Sequence, residues 1–162
     1  MNLAIINRQR AKKINARLLR QITAALFAEL KITEAELGIT LVGAGEMTRV
    51  NWQFLRHEGS TDVITFDYSD PTPAGQPRPA AGAPPALYGE LYICLDTAIS
   101  QAKQFGTTGQ SELVRYVVHG VLHLLGYDDL QPDLRRKMKR VENRLVRRLG
   151  GRFSLAQLFQ RG

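Results

Sequence analysis

Cysteine is almost absent from this chain, with Cys94 the only one in 162 residues. An internal disulfide is therefore impossible, and no disulfide partner is expected. A thiolate zinc site is equally excluded, so any metal must be held by histidine and carboxylate. Long apolar runs are also missing. None approaches the ~20 residues of a membrane-spanning helix, so no membrane partner is expected. The N-terminus reads MNLAIINRQRAKK, with its short apolar part ahead of its basic part. That order is the reverse of a secretory signal, and a cytoplasmic protein is the expectation.

Acidic residues are outnumbered. Fifteen Asp and Glu face 22 Lys and Arg, for a net charge of +7. Such a balance favours a polyanionic partner, chiefly nucleic acid, although a basic protein without one has the same composition. The excess lies at the two ends. Residues 8–20 carry six basic side chains and no acidic one. Residues 131–150 carry eight against Asp133 and Glu142.

The hydrophobic pattern predicts one domain over residues 1–162, of α+β (α/β-like) class, with a small mixed four-stranded sheet and about five helices. Strands are expected at 3–7, 37–42, 61–68 and 88–95. Helices are expected at 9–30, 46–55, from Asp96 or Thr97 to 105, from Ser111 to 125, and from Pro132 to about 150. Six of the seven prolines fall in residues 70–87. That segment reads as a Pro-rich loop, either a lid or a tolerated surface insertion between two strands.

The chemistry centres on HGVLHLLGYDD, residues 119–129. His119 and His123 are four apart, so they share one face of a helix and can reach one ion. The surrounding residues are apolar, and two histidines within a buried helix need partners. Gly126 is placed to end the helix in the left-handed conformation. The chain then turns back, and Asp128 or Asp129 can close a site. The alternative is a pair of core histidines hydrogen-bonded to their neighbours. Gly120 occupies the position where an H-E-x-x-H protease carries its general base. A conventional zinc protease is therefore disfavoured, and the missing side chain points to close packing or room for substrate.

These residues resemble the signature of the YbeY family, the bacterial rRNA-maturation endoribonucleases, whose pattern is H-G-x-L-H-L-x-G-Y-D-H. Upstream, Asn51, Arg56 and the TDVITF run at 61–66 resemble the family's N-x-x-x-x-R and T-D-V-L-S-F segments. GELYI at 89–93 resembles its G-D-I-x-I strand. The resemblance implies a single-strand-specific, metal-dependent endoribonuclease acting in small-subunit rRNA 3′-end processing and ribosome quality control. Its partners would be rRNA and the small ribosomal subunit.

The family holds its metal with three histidines. Two match His119 and His123, and the third position is Asp129 here. One divalent ion, expected to be zinc because two histidines and one carboxylate are a known catalytic zinc set, would then rest on His119, His123 and Asp129. A carboxylate makes that ion less positive and moves its preference toward harder ions such as Mn²⁺. Arg56 matches a family arginine that faces the active cleft and is the catalytic candidate, since a guanidinium can grip a phosphate bidentately; by sequence alone it could equally be a cation at a helix C-terminus. Asp62 and Asp128 are candidates to orient a ligand or substrate. Arg135, Arg136, Lys139 and Arg140 are candidate RNA-binding residues on the last helix. Two other readings stand beside this one. One is a ribosome- or rRNA-binding maturation factor with a structural metal and little catalysis. The other is a metal-dependent hydrolase of other substrates.

Overall fold

Alternation of apolar and polar residues makes the strands, and a period near 3.6 makes the helices that cover them. The computed structural model describes residues 1–55, 62–69 and 85–160. In chain order the elements are β1 (Asn2–Asn7), β2 (Lys13–Ile14), α1 (Ala16–Glu29), β3 (Glu34–Val42), α2 (Ala44–Val50), a π-helical turn (Asn51–Leu55), β4 (Val63–Asp67) and β5 (Ala86–Cys94). Then follow α3 (Leu95–Phe105), α4 (Gly109–Leu124), α5 (Pro132–Arg152), a 3₁₀ turn (Leu155–Leu158) and β6 (Phe159–Gln160). The main sheet has the order β1-β3-β5-β4. β1, β3 and β5 run parallel, and β4 is antiparallel to β5. The expected α+β class, with five helices and a mixed four-stranded sheet, is what the described residues form. Among them, no helix is long and apolar enough to cross a membrane.

The sheet buries one face under α1 and α4. Leu19 and Leu26 of α1, Leu91 of β5, and Val118, Val121 and Leu122 of α4 are all fully buried in one continuous core. α4 can lie this close because Gly120 has no side chain. A Cβ there would stand 2.6 Å from Leu91 Cδ2 and 3.0 Å from Cδ1. Of the two roles open to Gly120, close packing is the one the structure supports.

Several boundaries differ from the sequence expectation. The first helix begins at Ala16, not residue 9, with the Asn15 side chain accepting from Leu18 N–H as its cap. Ahead of it, the buried Gln9 amide bonds Asn7 Oδ1 and the Lys12 carbonyl, holding residues 9–12 in a loop. β2 then pairs with β6, a two-residue contact that periodicity does not reveal. Thr108, not Ser111, caps α4. Asp96 does not cap its own helix: its Oδ2 accepts from Ala44 N–H at the start of α2. β5 begins at Ala86, so Ala86 and Leu87 leave the expected 70–87 loop. Residues 70–84 of that loop, like Arg56, lie outside the described residues.

Candidate metal centre

α4 carries both histidines, and the way it ends brings the third donor. Gly126 has φ +100°, with nothing near the place its Cβ would occupy. Backbone conformation alone therefore calls for glycine. Gly126 N–H donates to His123 O, and Tyr127 N–H donates to Leu122 O, each at 3.0 Å. This paired closure reverses the chain. Asp128 Oδ1 then accepts from Leu130 N–H at 2.8 Å, tightening the turn that presents Asp129.

The three donor atoms converge. His119 Nε2 and His123 Nε2 lie 3.0 Å apart. Asp129 Oδ2 is 3.9 Å from the first and 3.4 Å from the second. A tetrahedral ion about 2.0–2.1 Å from each donor would set them about 3.3–3.4 Å apart. The observed triangle brackets that spacing. Among the described residues, these three form the one group of His, Cys, Asp or Glu with donor atoms close enough to share an ion.

The other ring nitrogens settle the tautomers. His119 Nδ1 is 2.7 Å from Glu142 Oε1, and His123 Nδ1 is 3.1 Å from the Tyr127 carbonyl. Both partners accept, so both Nδ1 atoms carry the proton and both Nε2 lone pairs turn toward Asp129. Two lone pairs and a carboxylate facing one point repel one another unless a cation, or a proton shared by the two Nε2 atoms, lies between them. The donor set therefore fits a divalent ion.

Glu142 of α5 is the anchor of this arrangement. Its side chain is only 3% exposed. Burial works to raise its pKa, but hydrogen bonds from His119 and Arg115 and the Lys139 charge prevail, and the carboxyl is held down at about 2. Arg115 Nη1 bonds Glu142 Oε2 at 2.7 Å, and Lys139 Nζ bonds the same oxygen at 3.1 Å. Burial alone would lower the pKa of His119, yet the Glu142 carboxylate raises it overall. Sequence reasoning counted Glu142 only as a charge among cations. Its signal was its place on the buried stripe of α5, between Met138 and Leu145.

Three of the four expected RNA-binding residues lie beside this centre. His119, Asp129, Arg135, Arg136 and Lys139 line one cleft of about 460 Å³. Arg135 Nε also donates to the Asp129 carbonyl at 3.0 Å. Arg136 pairs with Asp133. Arg140 is exposed on the same helix and is not among the residues lining the cleft. Leu134, four residues before the buried Met138 and so at core spacing on this helix, is nevertheless 42% exposed. Asp62 lies with His119 along a second cavity.

Comparison with known proteins agrees with this geometry. The family model described as Endoribonuclease YbeY matches residues 4–150. An Endoribonuclease YbeY from Chlorobium luteolum is 34% identical over 149 residues, covering 92% of this chain and 98% of the relative. Another, from Myxococcus xanthus, is 37% identical over 131 residues, covering 81% of this chain but only 42% of the longer relative. The solution structure of TM1509 from Thermotoga maritima superposes with a TM-score of 0.64 at 25% identity, covering 93% of this chain and 90% of that one. With the signature, the fold and the donor triangle in agreement, this chain belongs to the YbeY endoribonuclease family.

Proposed function

We propose that this chain is a metal-dependent endoribonuclease of rRNA maturation that holds one divalent ion, zinc, on His119, His123 and Asp129. The observation that carries this reading is the convergence of two Nε2 atoms and one carboxylate oxygen, with both Nδ1 protons already committed. Three protein donors leave a tetrahedral ion one open position, the pattern of catalytic zinc. This favours an enzyme over a binding factor with a structural ion. When bound, the ion supplies Lewis acidity and lowers the pKa of water.

The chain's own residues do the remaining work. Glu142 keeps the proton of His119 on Nδ1. Arg135, Arg136 and Lys139 draw the RNA backbone into the cleft by charge, so binding weakens as salt rises. Arg56 neutralises the scissile phosphate, the role the family resemblance gives it. Asp62 orients the substrate beside His119. Preference for single strands, action at the 3′ end of small-subunit rRNA, ribosome quality control, the small subunit as partner and a cytoplasmic location complete the proposal.

The test is purified protein with single-stranded rRNA fragments, with and without chelator, beside His123→Ala. We expect cleavage in the untreated protein only, restored after chelation by added zinc. Equal cleavage in all three samples would defeat the proposal.

A further inference from the structure

A second cavity, of about 390 Å³, lies among α3, α4 and α5 and shares His119, Lys139 and Glu142 with the cationic cleft. Its size is within the ~300–1,000 Å³ of small-ligand sites. Its charge is the opposite of its neighbour's. Asp62, Glu112 and Glu142 line it against Arg115 and Lys139, and both cations are bound to Glu142. A lining so rich in carboxylates suits a neutral polar group better than a phosphate.

The walls suit a planar polar ring. Gln101 Oε1 accepts from Tyr116 Oη at 2.6 Å, and Asn143 Oδ1 accepts from Arg115 Nη1 at 2.7 Å. With each amide oxygen engaged, both amides keep N–H donors for a ligand. Burial, with Asp62 and Glu112 adding to it, pushes the Tyr116 phenol upward, so it stays a neutral donor to Gln101. Phe105, the last residue of α3, lines the cavity yet is 65% exposed. An exposed aromatic beside a polar cavity is the arrangement on which single-stranded bases stack.

We infer that this cavity takes one unstacked nucleobase of single-stranded RNA, stacked on Phe105 and offering carbonyl oxygens to Gln101 and Asn143, while the adjoining phosphates lie in the cationic cleft. The inference rests on the endoribonuclease reading and adds a base subsite to it. One cleft holds the backbone, and the other distinguishes a splayed single strand from a paired one.

The test is equilibrium binding of the chelator-treated protein, in which no cleavage is expected, to a fluorescent single-stranded oligouridine, scanned with one abasic nucleotide at a time, for wild type, Phe105→Ala and Phe105→Trp. One abasic position should weaken wild-type binding by roughly 5- to 150-fold, the range of base–aromatic stacking. Phe105→Ala should lose a similar factor, the two losses should not add, and Phe105→Trp should bind like wild type. Adenine at the sensitive position, which lacks a carbonyl, should bind more weakly than uracil. Phe105 is exposed, so thermal unfolding should be unchanged in both variants. Abasic and Phe105→Ala losses that add fully, an abasic scan without a sensitive position, or adenine bound as tightly as uracil would overturn the inference. Coupled losses in a protein that does not cleave would support the base subsite and overturn the catalytic reading. Cleavage without coupling would do the reverse.

Discussion

The two histidines of the centre are held in two different ways. His123 is oriented locally: its partner is the Tyr127 carbonyl, four residues on, delivered by the turn that ends α4. His119 is oriented from a distance: its partner is the buried carboxylate of Glu142, on another helix and 23 residues away. A backbone carbonyl cannot be mutated away, and it carries no net charge. A carboxylate brings charge, raises ligand basicity and depends on the docking of α5. One half of the centre is therefore built by chain reversal, the other by helix packing, and the two halves should fail differently.

The largest effect should come from the donor that both halves share. Asp129→Ala removes the only charged donor of the proposed metal site and should lower metal affinity by about 100-fold or more, measured by titration against a competing chelator. Affinity equal to wild type would show that the ion does not rest on Asp129.

Glu142 comes next. Glu142→Ala leaves Arg115 without its main partner in a partly buried site, and removing one member of a buried pair costs about 3–5 kcal/mol. Glu142→Gln keeps an acceptor near His119 but loses the charge. It should fold, with metal affinity lower by roughly 10-fold or more. The carboxyl is held at about 2, against an ordinary value of 4.5. Its contribution to the metal-free protein is therefore full above pH 4.5 and lost as pH falls through 2. Denaturant midpoints across that window should fall less steeply in Glu142→Gln than in wild type.

Gly126→Ala probes the local half. An L side chain at φ +100° costs about 1–2 kcal/mol and shifts the Tyr127 carbonyl. Stability and metal affinity should fall together, by less than in Glu142→Ala. Smallest is Gly120→Ala, which sets overpacking of about 1–3 kcal/mol against Leu91 against a helix gain of about 1 kcal/mol. A net loss near 1 kcal/mol by chemical denaturation is expected, with the affinity for metal almost unchanged.

The same division explains what could be read in the sequence. His119, His123, Gly126 and Asp129 span one helix end, and their spacing specifies their geometry. So the convergence of His119, His123 and Asp129 was legible without coordinates. Glu142, Arg115 and the Gln101–Tyr116 bond meet only when α3, α4 and α5 pack, and no local spacing encodes that. The start of α1 was misread because its basic residues tolerate a helix, while Asn15, a good cap, marked the true boundary. The β2–β6 pairing, two residues long and joining the two ends of the described chain, left no pattern at all.

Glu142 is not one of the three converging donors, yet through His119 it would tie an ion bound there to α5. Thermodynamic linkage then runs both ways: a cation that fixes His119 also favours the docked last helix. Amide hydrogen exchange in α5 and in the β6 strand behind it should slow when the centre is loaded and quicken on chelation. The carboxy-terminal helix would thus act as a gauge of occupancy at a site to which it contributes no donor atom.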